Sequence, residues 1–225
     1  MRRFLTIAVL AATLAAAAGC STTPPPASDQ VQKYYDANKD LKTSAPAATA
    51  VVVSVLSDSH AFNADSWWRQ TVVANKVPGL ALGAFESQPG AASSSLVARL
   101  DAATAKKGLV IVQAGTNDLL SRQTPADAAA GVEALWKGVK DRGATPVAAL
   151  VPPSDKVPAE VVELNNLLTA AATSQGLKII DVYHAVAGPD GTWLAGDTID
   201  GTHANKAGSD LMTAAAKKQL PSLAG

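Results

Sequence analysis

The order of elements along the chain predicts a three-layer α/β/α sandwich built on a five-stranded parallel sheet. Two observations carry that expectation. From residue 47 onward, short apolar runs rich in β-branched residues alternate with longer stretches of helical period, five pairs in all. Most of the short runs are continuously apolar, as strands covered on both faces are.

The strands are expected over 49–56, 80–85, 108–114, 145–151 and 177–183, and the helices over about 64–76, 93–107, 125–142, 158–175 and 205–220. Helix ends are signalled by chemistry. Thr124, Pro125 and Asp127 supply a cap, a proline at the first helical position and an early acid, while Gly108, Gly143 and Gly176 fall just past helix ends. No internal repeat or heptad is present, so solenoids and coiled coils drop out.

At 225 residues, 48% hydrophobic, the chain can bury one sizeable core, and residues 47–225 are expected to form a single domain acting as a monomer. Nineteen basic residues balance nineteen acidic ones, with no basic patch interleaved by aromatics, which argues against nucleic-acid binding. Ahead of the domain, Met1-Arg2-Arg3 and the apolar run to Ala18 form an export signal over residues 1–20. It ends in Ala17-Ala18-Gly19-Cys20, which resembles a bacterial lipobox. The resemblance implies that Cys20, the only cysteine, carries a lipid anchoring the protein at the outer face of the cytoplasmic membrane; the alternative is a secreted protein cut at a nearby small-residue site. Residues 21–46, with Pro24-Pro25-Pro26 and many Ser and Thr, read as a tether holding at most a short helix around 31–39.

Ligands of open parallel sheets bind at the carboxyl ends of the strands. There the chain places Ser57-Asp58-Ser59-His60 after the first strand, Gly90 after the second and Gly115-Thr116-Asn117-Asp118 after the third. A long Gly- and Asp-rich loop, 184–203, follows the fifth and contains Asp200-Gly201-Thr202-His203. A carboxylate three residues before an imidazole can reach Nδ1 and leave Nε2 free to take a proton from a serine. By itself, Ser59 is equally a helix cap, Asn117 a turn residue, and Asp58 a cap or turn residue. His60, adjacent to Ser59, points elsewhere and either lines the pocket or faces solvent. Trp193 either walls the cleft or packs the loop. The three histidines lack carboxylate or cysteine partners at ligand spacing, so neither metal nor organic cofactor is expected.

Together these blocks resemble the SGNH hydrolases, the group that includes GDSL-type lipases and esterases, over about residues 49–215. The resemblance implies a flavodoxin-like sheet and hydrolysis of an acyl ester through an acyl-serine. It makes Ser59 the nucleophile, His203 the base and Asp200 its support, with the Ser59 and Gly90 N–H groups and the Asn117 amide as the oxyanion hole. Ser57 stands where the family has glycine, and Gly83 competes with Gly90 for the second block. The location suggests an ester of a cell-envelope glycan, a lipid or a small molecule, and the lack of a long continuous apolar segment to serve as a lid favours a short acyl, such as acetyl. An acyltransferase and a degenerate glycan-binding lipoprotein are the alternatives.

Overall fold

The computed structural model describes residues 49–225; the expected export signal over 1–20, with Cys20, and the expected tether over 21–46 lie outside the described residues. Five parallel strands, β1 (Val51–Ser57), β2 (Leu80–Ser87), β3 (Leu109–Gln113), β4 (Thr145–Ala149) and β5 (Ile179–Ile180), run in the order β2-β1-β3-β4-β5. The expected sandwich is the observed one. Strand parity divides the core between its faces. Val110, Val112 and Leu56 pack with Trp136, Leu164 and Leu168 on one side. On the other, Ile111, Val53 and Val55 pack with Trp67, Trp68, Met212 and Leu220.

The helices are α1 (Ser59–Phe62), α2 (Ser93–Leu96), α3 (Leu100–Thr104), α4 (Thr116–Leu120), α5 (Pro125–Asp141), α6 (Pro158–Ser174) and α7 (Lys206–Gln219). The last three match expectation closely, and α5 begins as its sequence says, with Thr124 Oγ1 accepting from Asp127 N at 3.1 Å. The first two expected helices differ. In place of one helix over 64–76, α1 starts at Ser59, and a π-helical turn, Arg69–Val73, follows Trp68. Thr71 bonds back to Trp67 O at 2.6 Å and the Thr71-Val72-Val73 run is β-branched, both of which disfavour regular α-helix here. The helix expected over 93–107 is broken into α2, a 3₁₀ turn at Val97–Arg99, and α3. Its serine-rich start is a weak helix former.

The fifth strand is far shorter than the seven residues expected. Beyond Ile180, the Gln219 side chain accepts from Asp181 N at 2.8 Å and donates to Asp181 O at 2.7 Å, satisfying the backbone that a ladder would have used. Gly83 lies at a β-bulge, where β2 gains a residue against β1 and Ala84 N donates to Ser54 Oγ at 2.8 Å. A Cβ at Gly83 would collide with that hydroxyl and stand 2.9 Å from Val52 Cγ1. Close packing inside the sheet accounts for this glycine.

Candidate active site

Strand β1 ends at Ser57, and Asp58 turns the chain directly into α1. Its Oδ1 accepts from His60 N at 3.0 Å, so Asp58 is the cap and Ser59 the first helical residue. The Ser59 N–H therefore has no partner within the helix. Ser57 continues the sheet, paired with Ser87 and Gln113, and its buried hydroxyl makes no hydrogen bond among the described residues.

The loop before α7 delivers the imidazole. Asp200 Oδ1 accepts from Thr202 N at 2.9 Å and His203 N at 2.8 Å, while Oδ2 pairs with His203 Nδ1 at 2.9 Å. Gly201, at φ 78°, permits the tight turn. Across the sheet edge, His203 Nε2 lies 2.9 Å from Ser59 Oγ. With Nδ1–H donated to the Asp200 carboxylate, Nε2 is the acceptor for the serine hydroxyl. Burial pushes the Asp200 carboxyl up, but the hydrogen bonds from His203 and Thr202 outweigh it and hold it down at about 2. Asp200 is thus an anion at any ordinary pH.

Gly90 lies beyond β2 at φ 74°, with open space where a Cβ would stand, and its N–H donates no hydrogen bond among the described residues. Asn117, early in α4, is half-buried. Its Nδ2 donates to Asp58 Oδ2 at 3.2 Å and to Ala91 O at 3.1 Å, so both amide protons are engaged. Sequence reasoning missed this contact between Asp58 and Asn117. It also missed Asp118, which accepts from Ser93 N at 2.9 Å and Ser93 Oγ at 2.6 Å, fastening the start of α2 to the start of α4. Gly131 makes room for that pair, since its Cβ would fall on Ser93 Oγ. Gln113 braces the site from below, accepting from Trp67 Nε1 at 3.2 Å and donating to Leu150 O at 2.8 Å. Isolated Asp and Gln residues in the sequence carry no signal of such pairing.

Burial, with a smaller contribution from Asp118, raises Asp58 to about 7, against the opposing hydrogen bonds from His60 N and Asn117. His60 does not face solvent. It is buried beside His203, ring centroids 5.7 Å apart, with Nε2 3.2 Å from Thr116 Oγ1. Burial first, then the neighbouring His203, lowers it to about 3, so its ring is neutral. Trp193 is buried in the second core with Val182 and Val186, and loop packing accounts for that position. Among the described residues, no group of three His, Cys, Asp or Glu could hold a metal ion, and no helix is long and apolar enough to cross a membrane.

Several solved structures share this fold. A carbohydrate acetylesterase from Sinorhizobium meliloti superposes with a TM-score of 0.63 at 17% identity, covering 77% of this chain and 99% of its own. A GDSL-like lipase from Bacteroides thetaiotaomicron gives 0.61 at 18%, covering 86% and 98%. The M. smegmatis aryl esterase gives 0.59 at 17%, covering 77% and 100%. At such identities the likeness speaks to the fold. No curated protein is similar enough to the chain to match it. The family model for GDSL-like lipases and acylhydrolases matches residues 57–211, from the strand end before Ser59 into α7. With the Asp58-Ser59 turn, Asn117 and the Asp200/His203 loop all inside that span, the chain belongs to the GDSL-like lipase/acylhydrolase family.

Proposed function

We propose that the protein is a serine esterase that removes short acyl groups, acetyl foremost, from a cell-envelope glycan or a small ester through an acyl-Ser59 intermediate. The observation that carries this reading is the continuous relay from Asp200 to His203 to Ser59, each link 2.9 Å. Ser59 Oγ attacks the ester carbonyl as His203 Nε2 takes its proton. The imidazolium, steadied by Asp200, returns that proton to the leaving alkoxide. A water molecule, deprotonated by His203, then releases the acid.

The developing oxyanion would meet the Ser59 and Gly90 N–H groups and the Asn117 amide, which exchanges its bond to Ala91 O for the substrate oxygen. The short-acyl preference draws on the surface. Among the described residues, the exposed large apolar side chains are the scattered Val97, Leu194, Ile199 and Leu211, and of these Ile199 alone neighbours a triad residue in sequence. That structures described as a GDSL-like lipase, an aryl esterase and a carbohydrate acetylesterase share the fold supports the reaction class, and the last of them supports the acyl group. Close contact between Ser59 and His203, despite Ser57, weighs against a degenerate binding module.

The arginines at 2 and 3, the apolar run and Gly19-Cys20 support export and lipid attachment at Cys20. A membrane-bound wild type beside a released Cys20→Ser variant would test that. Activity is tested with a panel of acyl esters of increasing chain length, run beside Ser59→Ala. Acetyl esters should turn over fastest; preference for long chains would sink the short-acyl reading.

A further inference from the structure

At the carboxyl ends of β4 and β5, a cavity of about 330 Å³ opens between α6 and the loop after Tyr183, and none of its walls belongs to the Ser59 and His203 site. Leu150 and Val162 form its apolar side, and Tyr183, His184, Asn166 and Thr169 its polar side. The volume falls at the small end of ligand cavities, about 300–1000 Å³. Asp181 holds His184 much as Asp200 holds His203, accepting from its N–H at 3.1 Å and pairing with Nδ1 at 2.6 Å. Here, however, Nε2 has no hydroxyl partner among the described residues, so the pair orients a ring and activates no nucleophile. The Tyr183 ring stands edge-on to it at 5.0 Å.

The polar groups define a ligand class. Burial, then the carboxylates of Asp181 and Asp190, push the Tyr183 hydroxyl up, so it remains a neutral O–H. The Asn166 amide, the Tyr183 hydroxyl and His184 Nε2 make no hydrogen bond of their own among the described residues, and the amide and the hydroxyl carry no charge. Among the described residues no Lys or Arg lines the cavity, which disfavours an anion. Neither Asp181, which pairs with His184, nor Asp190, whose Oδ1 accepts from Thr192 N at 3.2 Å and Thr192 Oγ1 at 2.6 Å, is among the lining residues, which disfavours a cation. Converging hydrogen-bonding groups beside an aromatic edge and an apolar wall suit the hydroxyls and C–H faces of a sugar.

We propose that this cavity binds a neutral saccharide unit of a glycan. The proposal deepens the glycan-ester reading and rests on it for what the bound sugar belongs to. A short chain of contacts joins the two sites. Ala187 pairs with Trp193, Trp193 N donates to Asp155 Oδ1 at 2.9 Å, and Asp155 N donates to Gly201 O at 2.7 Å within the catalytic loop.

The test is calorimetric titration of the full chain with the unesterified tetrasaccharides of glucose, xylose and N-acetylglucosamine, which need no ester cleavage. At least one should bind saturably. Asn166→Ala and His184→Ala, both at exposed positions, should each weaken it roughly tenfold, about one hydrogen bond's worth. Asn166→Trp, which fills the cavity mouth, should abolish it while thermal melting shows an intact fold. Absence of saturable binding by all three sugars overturns the proposal. So does binding that survives Asn166→Trp but is lost when a fluorophosphonate blocks Ser59, since the sugar would then sit in the catalytic cleft. Failure of the ester panel would leave this result standing.

Discussion

His203 Nε2 stands 2.9 Å from Ser59 Oγ, joining residues 144 positions apart. The sheet makes the meeting possible. β1 presents Ser59 at its carboxyl end, and the loop into α7 returns across the same edge with His203 already held by two contacts to Asp200. The imidazole is therefore aligned on the serine in the free protein, and on the proposed mechanism that alignment removes ordering entropy from the reaction step.

Ser59→Ala and His203→Ala should each lower kcat on an activated ester by about 10³-fold or more, with thermal melting unchanged within a few degrees. Neither side chain fills the core, so the fold has little to lose. Steady-state kinetics and melting of the two variants make the check. A variant that keeps near-wild-type kcat would remove its residue from the mechanism.

Asp200→Asn should lower kcat by roughly 10²–10⁴-fold with a smaller change in KM. An amide at 200 can still accept from the N–H groups of Thr202 and His203, so the loop keeps its shape. Its NH₂ faces Nδ1, however, and drives the ring to the tautomer with its proton on Nε2, which cannot accept from Ser59. Because Asp200 is held at about 2, the wild-type enzyme does not lose this support anywhere above pH 4.

Asn117→Ala should lower kcat by about 10²–10³-fold, the usual cost of one oxyanion donor. Asp58→Asn should cost less, because Asp58 acts through Asn117, holding the amide at 3.2 Å without reaching the substrate. Equal losses in the two variants would make Asp58 more than a positioning residue.

The strands were legible because continuous apolar runs report burial on both faces, and the Asp200 and His203 pair because both partners lie on one short turn. What escaped the sequence depended on groups distant along the chain. Gln219 ends β5 from the opposite end of the domain, and Asp118 caps a helix that begins 25 residues earlier. His60 was ambiguous for the same reason. Only the packing of α1 against Thr116 and His203 decides that it is buried and neutral. Gly83 and Gly90 look alike in sequence, yet one is required by a bulge and the other lies in open space.

Asp58 and His60 give the last prediction, since their proton affinities move in opposite directions. Asp58 is raised from 3.8 to about 7, so between those values the folded state keeps a proton that the unfolded chain has lost, and stability falls as pH rises. His60 is lowered from 6.5 to about 3, so over that window the unfolded chain binds a proton that the fold excludes, and stability falls as pH drops. Each shift is of order 4 kcal/mol at full extent. Between about pH 4 and 6.5 the two slopes oppose and nearly cancel, which leaves the wild type flat with respect to this pair. Asp58→Asn should expose the histidine, with urea midpoints falling as pH drops from about 6.5 towards 3. His60→Gln should expose the aspartate, with midpoints falling as pH rises from about 4 to 7. Midpoint profiles that run parallel to wild type in both variants would show that neither group titrates across the folding transition.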